Sequence, residues 1–367
     1  MMNIEDEQTL NDQQKLELLR IQALIDEAGQ TPEQKAKLFF EQALLYGYSQ
    51  QYAEAITFFD KALEIKPDYH EAWYYRGNTL YNLGRFEEAI TFFDKALEIK
   101  PDYHEAWYCR GNTLYNLGRF EEAIASYDKA LEIKPDDHAA WYNRGNALAQ
   151  LGLWEEAIAN YDKALEIKPD KDEAWNNRGN ALAKLGRVEE AIASYDKSLE
   201  IKPDHHAAWY NRGSKLAQLG LFEEAIVSCD KALDIKPDKH EAWYYRGNAL
   251  AQLGLFEEAI ASYNKALEIK PDYHESGNYR GNALAKLGRW EEAIASYDKA
   301  LEIKPDYHQA FYDKACCYAL YSEVDLSIQN LQRAIDLNPD EYREMAKTDS
   351  DFDKVRSHPQ FQALIEE

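Results

Sequence analysis

Residues 70–103 read HEAWYYRGNTLYNLGRFEEAITFFDKALEIKPDY, and residues 104–137 repeat them with five changes. Proline marks the period: Pro67, Pro101, Pro135, Pro169, Pro203, Pro237, Pro271, Pro305 and Pro339 follow one another at intervals of 34 residues. Pro32 and Pro359 lie outside this ladder. A fixed period of this size is the mark of a repeat array, in which each unit packs only on its neighbours.

Each unit reads as two helices. Apolar and small residues recur at helical spacing, as Trp73, Gly77 and Leu80 in one segment and Ala89, Phe93 and Ala96 in the other. The first segment runs from about His70 to Asn82 and ends at Gly84, where a positive φ suits a helix C-cap. The second starts at Phe86 or Glu87 and stops near Lys100, because Pro101 cannot continue it. Asp102, three residues before Glu105, predicts a capping box opening the next helix. No alternating β pattern is present.

The order Trp, Gly, Leu/Tyr, Gly, Phe/Tyr, Ala, Phe/Tyr, Ala, Pro within each unit closely resembles the tetratricopeptide repeat, over residues 36–341. The expected fold is therefore all-α, a right-handed superhelical α-solenoid of nine helix-turn-helix repeats with capping helices at both ends. The repeats fall at 36–69, 70–103, 104–137, 138–171, 172–205, 206–239, 240–273, 274–307 and 308–341, between an N-terminal capping helix and tail (1–35) and a C-terminal cap (342–367). Leu16, Leu19, Ala23 and Ile25 are expected to cover the first repeat, and Phe352, Val355, Phe361 and Leu364 the last.

The resemblance also implies a concave groove lined by the first helices of the repeats. Its ninth position carries Asn78, Asn112, Asn146, Asn180, Asn248 and Asn282, with Ser214 in the sixth repeat. Its sixth adds Asn143, Asn177 and Asn211. The fifth is aromatic in most units, including Tyr74, Tyr108, Tyr142, Tyr210 and Tyr244, and the twelfth adds Tyr81 and Tyr115. An amide has both a donor and an acceptor, so an asparagine ladder suits an extended backbone, and tyrosines suit its side chains. The same asparagines also suit bonds between neighbouring helices. Tyrosines crowd repeats two and three, which places the tightest expected contacts toward the N-terminal half. The clamp that some family members use for chaperone tails needs Lys and Arg at the second and fifth positions. Here those are Glu71, Glu105, Glu241 or Ala139 and mostly tyrosine, which disfavours that role and suits a partner with basic residues.

Other signals point away from chemistry. A net charge of −24 opposes nucleic acid and anionic membrane as partners. His70, His104 and their copies fall one per repeat, too far apart to share a metal. Arg76, Arg110 and their copies form a row whose stems pack and whose heads suit acidic side chains. Cys109, Cys229, Cys316 and Cys317 show no CxxC spacing and read as reduced thiols of a cytoplasmic protein. The N-terminus shows no leader pattern, no apolar run is long enough to span a bilayer, and no catalytic, cofactor or metal motif stands out. The expected function is a protein-interaction scaffold holding a peptide segment or helix of a partner. The alternative is a spacer or self-associating array with an idle groove.

One repeat breaks the pattern. Gly277, beside Ser276, stands where six other repeats have tryptophan. Losing such an aromatic from a core costs about 3–5 kcal/mol, which predicts a soft segment or hinge, a small pocket, or a gap filled by Trp290; neutral drift in an over-stable array is the simpler account.

Overall fold

The computed structural model describes residues 11–366. These form twenty-one α-helices, one 3₁₀ turn at Ser350–Phe352 and no strand. The residues 1–10 read for a leader lie outside the described part. The chain divides into two compact halves, one ending at Leu185 and the other starting at Gly186.

In the N-terminal half a first helix, Asp12–Asp26, precedes helix pairs stacked in chain order. The pairs are Pro32–Tyr48 with Tyr52–Ile65, His70–Asn82 with Phe86–Ile99, His104–Asn116 with Phe120–Ile133, and His138–Gln150 with Trp154–Ile167. Asp172–Lys184 closes this half. The C-terminal half opens with Val188–Ile201 and continues through His206–Gln218 with Phe222–Ile235 and His240–Gln252 with Phe256–Ile269. His274–Lys286 with Trp290–Ile303 and His308–Leu320 with Val324–Leu337 follow, and Pro339–Thr348 and Pro359–Glu366 end it. The two helices of a repeat are called A and B below.

In repeats two to eight the A helix stops as its glycine dictates, while Gln50 and Ser322 take the positive-φ position in repeats one and nine. Gly84 adopts φ 73°, its N–H bonds Tyr81 O at 2.9 Å, and Arg85 N–H reaches back to Leu80 O at 2.9 Å. These bonds satisfy carbonyls that the helix end leaves open. The start differs from expectation. Tyr103, not Asp102, is the N-cap residue, and it makes no side-chain cap bond. Its ring packs edge-on against His70 (5.2 Å between centroids) and against Tyr74 (5.0 Å), so this position serves inter-repeat packing. Repeat four has Asp137 there instead, and its carboxylate caps Ala139 and Ala140.

The A and B helices meet through a ring laid on a glycine. A Cβ added to Gly77 would sit 2.8 Å from Phe93 Cε1, and one on Gly111 only 2.5 Å from Tyr127 Cε1. Phe93 and Tyr127 are fully buried, flanked by buried Ala89, Ala96, Ala123 and Ala130. The signature tryptophans sit farther out. Trp73 is half-buried, stacks on Phe92 and donates its indole N–H to Pro67 O at 2.8 Å.

The arginine row stitches three helices together. Arg144 donates to Asp128 of the preceding B helix (2.7 Å) and to Asn160 of its own (3.0 Å). Arg110 and Arg246 use Asp94 with Ser126 and Asp230 with Ser262 in the same way. Half-buried charge-assisted bonds of this kind outweigh surface ion pairs, because water screens them less.

The terminal elements cover exposed repeat faces. In the first helix the buried residues are Leu18, Ile21 and Ile25, whereas Leu16 and Leu19 are each 69% exposed. The expected face was thus wrong for the two leucines: the stripe that packs is the i, i+3, i+7 set beginning at Leu18. At the other end Tyr342, Phe352, Val355 and Phe361 close over Tyr312 and Leu331 in one cluster. Ser327 replaces the usual alanine there at no cost in unmet bonds, since its hydroxyl donates to Ala315 O at 2.9 Å.

Two substitutions in repeat three separate close packing from backbone conformation. Alanine at Gly111 would contribute about 1 kcal/mol of helix propensity, but overpacking against Tyr127 costs about 1–3 kcal/mol. Urea unfolding of Gly111→Ala should show net destabilisation on the order of 1 kcal/mol. Gly118, at φ 74° with open space around it, should accept asparagine almost silently, because asparagine tolerates the left-handed region. Equal losses for Gly111→Ala and Gly118→Asn would contradict the packing account.

Candidate ligand-binding face

The asparagine ladder is built by the same rings that pack the repeats. In repeats three, four, seven and eight the B-helix tyrosine lies on the glycine of its A helix, and its hydroxyl reaches the asparagine that follows. Tyr127 OH donates to Asn112 Oδ1 at 2.8 Å, Tyr161 OH to Asn146 at 2.9 Å, Tyr263 OH to Asn248 at 2.8 Å and Tyr297 OH to Asn282 at 2.7 Å. The sixth-position asparagine of the next repeat adds a second donor. Asn143 Nδ2 bonds Asn112 Oδ1 (2.9 Å) and Tyr108 OH (3.0 Å), and Asn177 Nδ2 bonds Asn146 Oδ1 and Tyr142 OH (both 3.0 Å).

This changes what the ladder has to offer. A carbonyl oxygen has two lone pairs, and in Asn112 and Asn146 both are taken. These residues have N–H left for a ligand, not C=O. Asn282 is committed on both sides, because its amide also donates to Asp313 at 2.9 Å. Asn180 and Asn211 are half-buried, and neither is without a partner.

Asn78 is the exception. Repeat two has Phe93 where repeats three, four, five, seven and eight have tyrosine, and Cys109 stands where the next repeat would place its asparagine. Among the described residues no side chain donates to Asn78 Oδ1, and the residue is half-buried at the edge of a cavity. That cavity, about 340 Å³, is lined by Leu44, Tyr48, Tyr75, Asn78, Tyr81 and Asn112 among others. A second, about 220 Å³, adjoins it through Tyr81 and Asn112 and adds Tyr115, Asn143 and Asn146. Tyr81 and Tyr115 thus lie together with the ladder, whereas Tyr74 and Tyr108 line neither cavity.

The fifth-position tyrosines play a different part from the one expected. Tyr74, Tyr108, Tyr142 and Tyr244 lie against Phe93, Tyr127, Tyr161 and Tyr263 with centroids 6.0–6.3 Å apart. Tyr210 is half-buried under Lys239, whose Nζ is 5.0 Å from its ring. Tyr81 and Tyr115 lie at a steep angle against Phe86 and Phe120, each with centroids 5.4 Å apart. The second-position glutamates are also engaged locally. Glu71 and Glu105 lie 3.0 and 2.9 Å from His70 and His104, and Glu241 lies 2.9 Å from Lys239.

The remaining reactive groups are occupied or shielded. Burial pushes the Cys109 thiol up to about 11 and Cys229 up to about 12, so neither carries the thiolate that nucleophilic chemistry needs. Cys316, Asp349 and Asp351 bring three potential metal ligands within 4.8 Å of one another. Asp349, however, already accepts from Tyr312 OH at 2.8 Å and from the Asp351 backbone N–H at 3.0 Å. The histidines serve packing, as His240 and His274 do edge-on against Tyr273 and Tyr307. Trp290 does not fill the space at Gly277. It stacks instead near Tyr321, with centroids 6.5 Å apart. No helix among the described residues is long and apolar enough to cross a membrane.

Family models agree with this architecture. A TPR repeat model matches residues 44–84, 111–152, 145–186 and 281–319. Two tetratricopeptide repeat models match residues 70–103, 172–205, 206–239 and 240–273, and residues 92–125. Among solved structures, a tetratricopeptide repeat protein from Parabacteroides merdae ATCC 43184 is 20% identical over 66% of this chain and 97% of its own, with a TM-score of 0.55. The APC/C hetero-tetramer Cut9-Hcn1 matches at 14% identity over 96% of this chain and 81% of that one, with a TM-score of 0.54. Both likenesses concern the fold. YrrB, titled a TPR protein with an unusual peptide-binding site, is 27% identical over 49% of this chain and 93% of its own, with a TM-score of 0.42. No curated protein sequence matches. With family matches running over 44–273 and 281–319, the chain belongs to the tetratricopeptide repeat family, whose repeats generally serve as protein-interaction scaffolds.

Proposed function

We propose that the chain is a scaffold whose asparagine–tyrosine face, in repeats two to four, holds an extended segment or helix of a partner protein. The observation that carries this reading is Asn78: a half-buried amide, with its oxygen uncommitted, on the edge of the aromatic cavity that continues through Tyr81 and Asn112. An amide so placed can accept a backbone N–H and donate to a backbone C=O, while Asn112 and Asn146 supply donors beyond it. Tyr48, 70% exposed at the cavity edge, adds rigid amphipathic surface of the kind that anchors interfaces. The net charge of −24 supports a partner segment with basic residues, through its long-range field rather than through the locally paired glutamates.

Stability and binding should separate along the ladder. Asn112→Ala orphans the Tyr127 hydroxyl and one Asn143 N–H, so its unfolding free energy should fall by about 1–3 kcal/mol in urea titration. Asn78→Ala removes an amide beside the Tyr74 hydroxyl, which keeps Cys109 Sγ at 3.6 Å, so its loss should be smaller, below about 1 kcal/mol.

For function, the parent and an Asn78→Ala, Tyr48→Ala double variant would be used to capture partners from native lysate and compared by quantitative mass spectrometry. A partner held by the parent and depleted about tenfold or more by the variant, at an unchanged melting temperature, is the expected result. Its capture should weaken steeply with salt. Identical capture by both would remove this face as the working surface. Concentration-dependent mass in light scattering would then favour the self-associating array.

A further inference from the structure

The tryptophan that repeat eight lacks leaves a cavity whose natural occupant is displayed by the other repeats. In six of them the indole N–H donates to the carbonyl of the proline six residues earlier. Trp73, Trp107, Trp141, Trp175, Trp209 and Trp243 reach Pro67, Pro101, Pro135, Pro169, Pro203 and Pro237 at 2.8–2.9 Å. In three of these repeats the arginine three residues on lies over the same indole, with its guanidinium carbon 5.8 Å from the ring in Trp107, Trp175 and Trp243.

At the corresponding place in repeat eight stands Gly277, and a cavity of about 340 Å³ opens beside it. Leu267, Pro271, Ala300 and Ile303 give it apolar walls, and Arg280 lies at its edge. Among the described residues no side chain donates to Pro271 O. Arg280, the counterpart of the indole-facing arginines, has also lost its usual carboxylate. Asn264 stands where other repeats have aspartate, and Arg280 bonds Asn264 Oδ1 at 2.9 Å and Ser296 Oγ at 2.8 Å. A Cβ on Gly277 would meet only Ala300 Cβ and Ser296 O, both at 3.6 Å, so the main chain is not pinched shut over the site.

We propose that this cavity is a binding site for an indole ring, supplied from outside the chain. Leu267 is the counterpart of Leu97 and Leu233, which pack with Trp107 and Trp243, and the site also has a carbonyl for the ring's N–H and a cation for its face. A much smaller apolar cavity, of about 150 Å³, already suffices to bind benzene. None of the asparagines or tyrosines of the proposed partner face lines this site, so the two readings stand or fall separately.

Indole itself is the probe, titrated into the full chain by calorimetry and by ligand-observed NMR. Saturable one-to-one binding is expected, weakened about tenfold or more by Gly277→Trp, which places the chain's own ring in the site. Gly277→Trp should also raise the melting temperature. Gly277→Leu fills the cavity less completely and serves if the tryptophan variant folds poorly. Methylation of the indole nitrogen should weaken binding, because it removes the donor to Pro271 O. A parallel titration with N-acetyltryptophanamide distinguishes the source: binding of both probes points to a tryptophan side chain of a partner, and binding of indole alone to a free small aromatic. Absence of saturable indole binding to the parent, or binding unchanged in both Gly277 variants, would overturn the proposal.

Discussion

A ring pressed onto a glycine is the contact on which this molecule depends. Where Tyr127 lies on Gly111, even a methyl group would be 2.5 Å from the ring edge, so the A and B helices approach as closely as their main chains allow. Close approach buries the flanking alanines, and it also fixes the height of the tyrosine hydroxyl. That hydroxyl lands on Asn112, which orients the amide toward the next repeat. Packing within a repeat and polar contact between repeats are therefore built from one and the same ring.

The coupling gives meaning to single substitutions in nearly identical units. Phenylalanine at position 93 keeps the packing, since Gly77 still lies under the ring, but it withdraws the hydroxyl and leaves the Asn78 carbonyl uncommitted. Glycine at position 277 keeps the A helix and withdraws a side chain that the others use as filler and as donor. In both places the fold tolerates the change because its neighbours supply the helix-to-helix contacts. A local absence becomes a surface with unused hydrogen-bonding or apolar capacity.

Much of the fold was readable along the chain because its causes are local. The proline ladder, the glycine stops and the helical spacing each act within a few residues, and the helices observed at His70–Asn82 and Phe86–Ile99 follow from them. The arginine row was also readable as structural, since its acidic partners recur at the same period. Two local readings failed where a neighbouring element competed. Asp102 does not cap, because Tyr103 is drawn into packing with the preceding repeat. Leu16 and Leu19 are not buried, because the second helix receives the face set by Leu18, Ile21 and Ile25.

The sequence alone determined the period, the helix pairs and the identity of the amides and aromatics repeated at each position, because these depend on spacing that any single chain segment contains. Only the tertiary structure decided which of those groups are spoken for. The lone pairs of Asn112 are taken by residues 15 and 31 positions away, and the indole site at Gly277 is walled by side chains from 10 residues before it to 26 after it. Hydrogen-bond saturation and cavity shape belong to neighbours brought together by stacking, and no linear pattern records them.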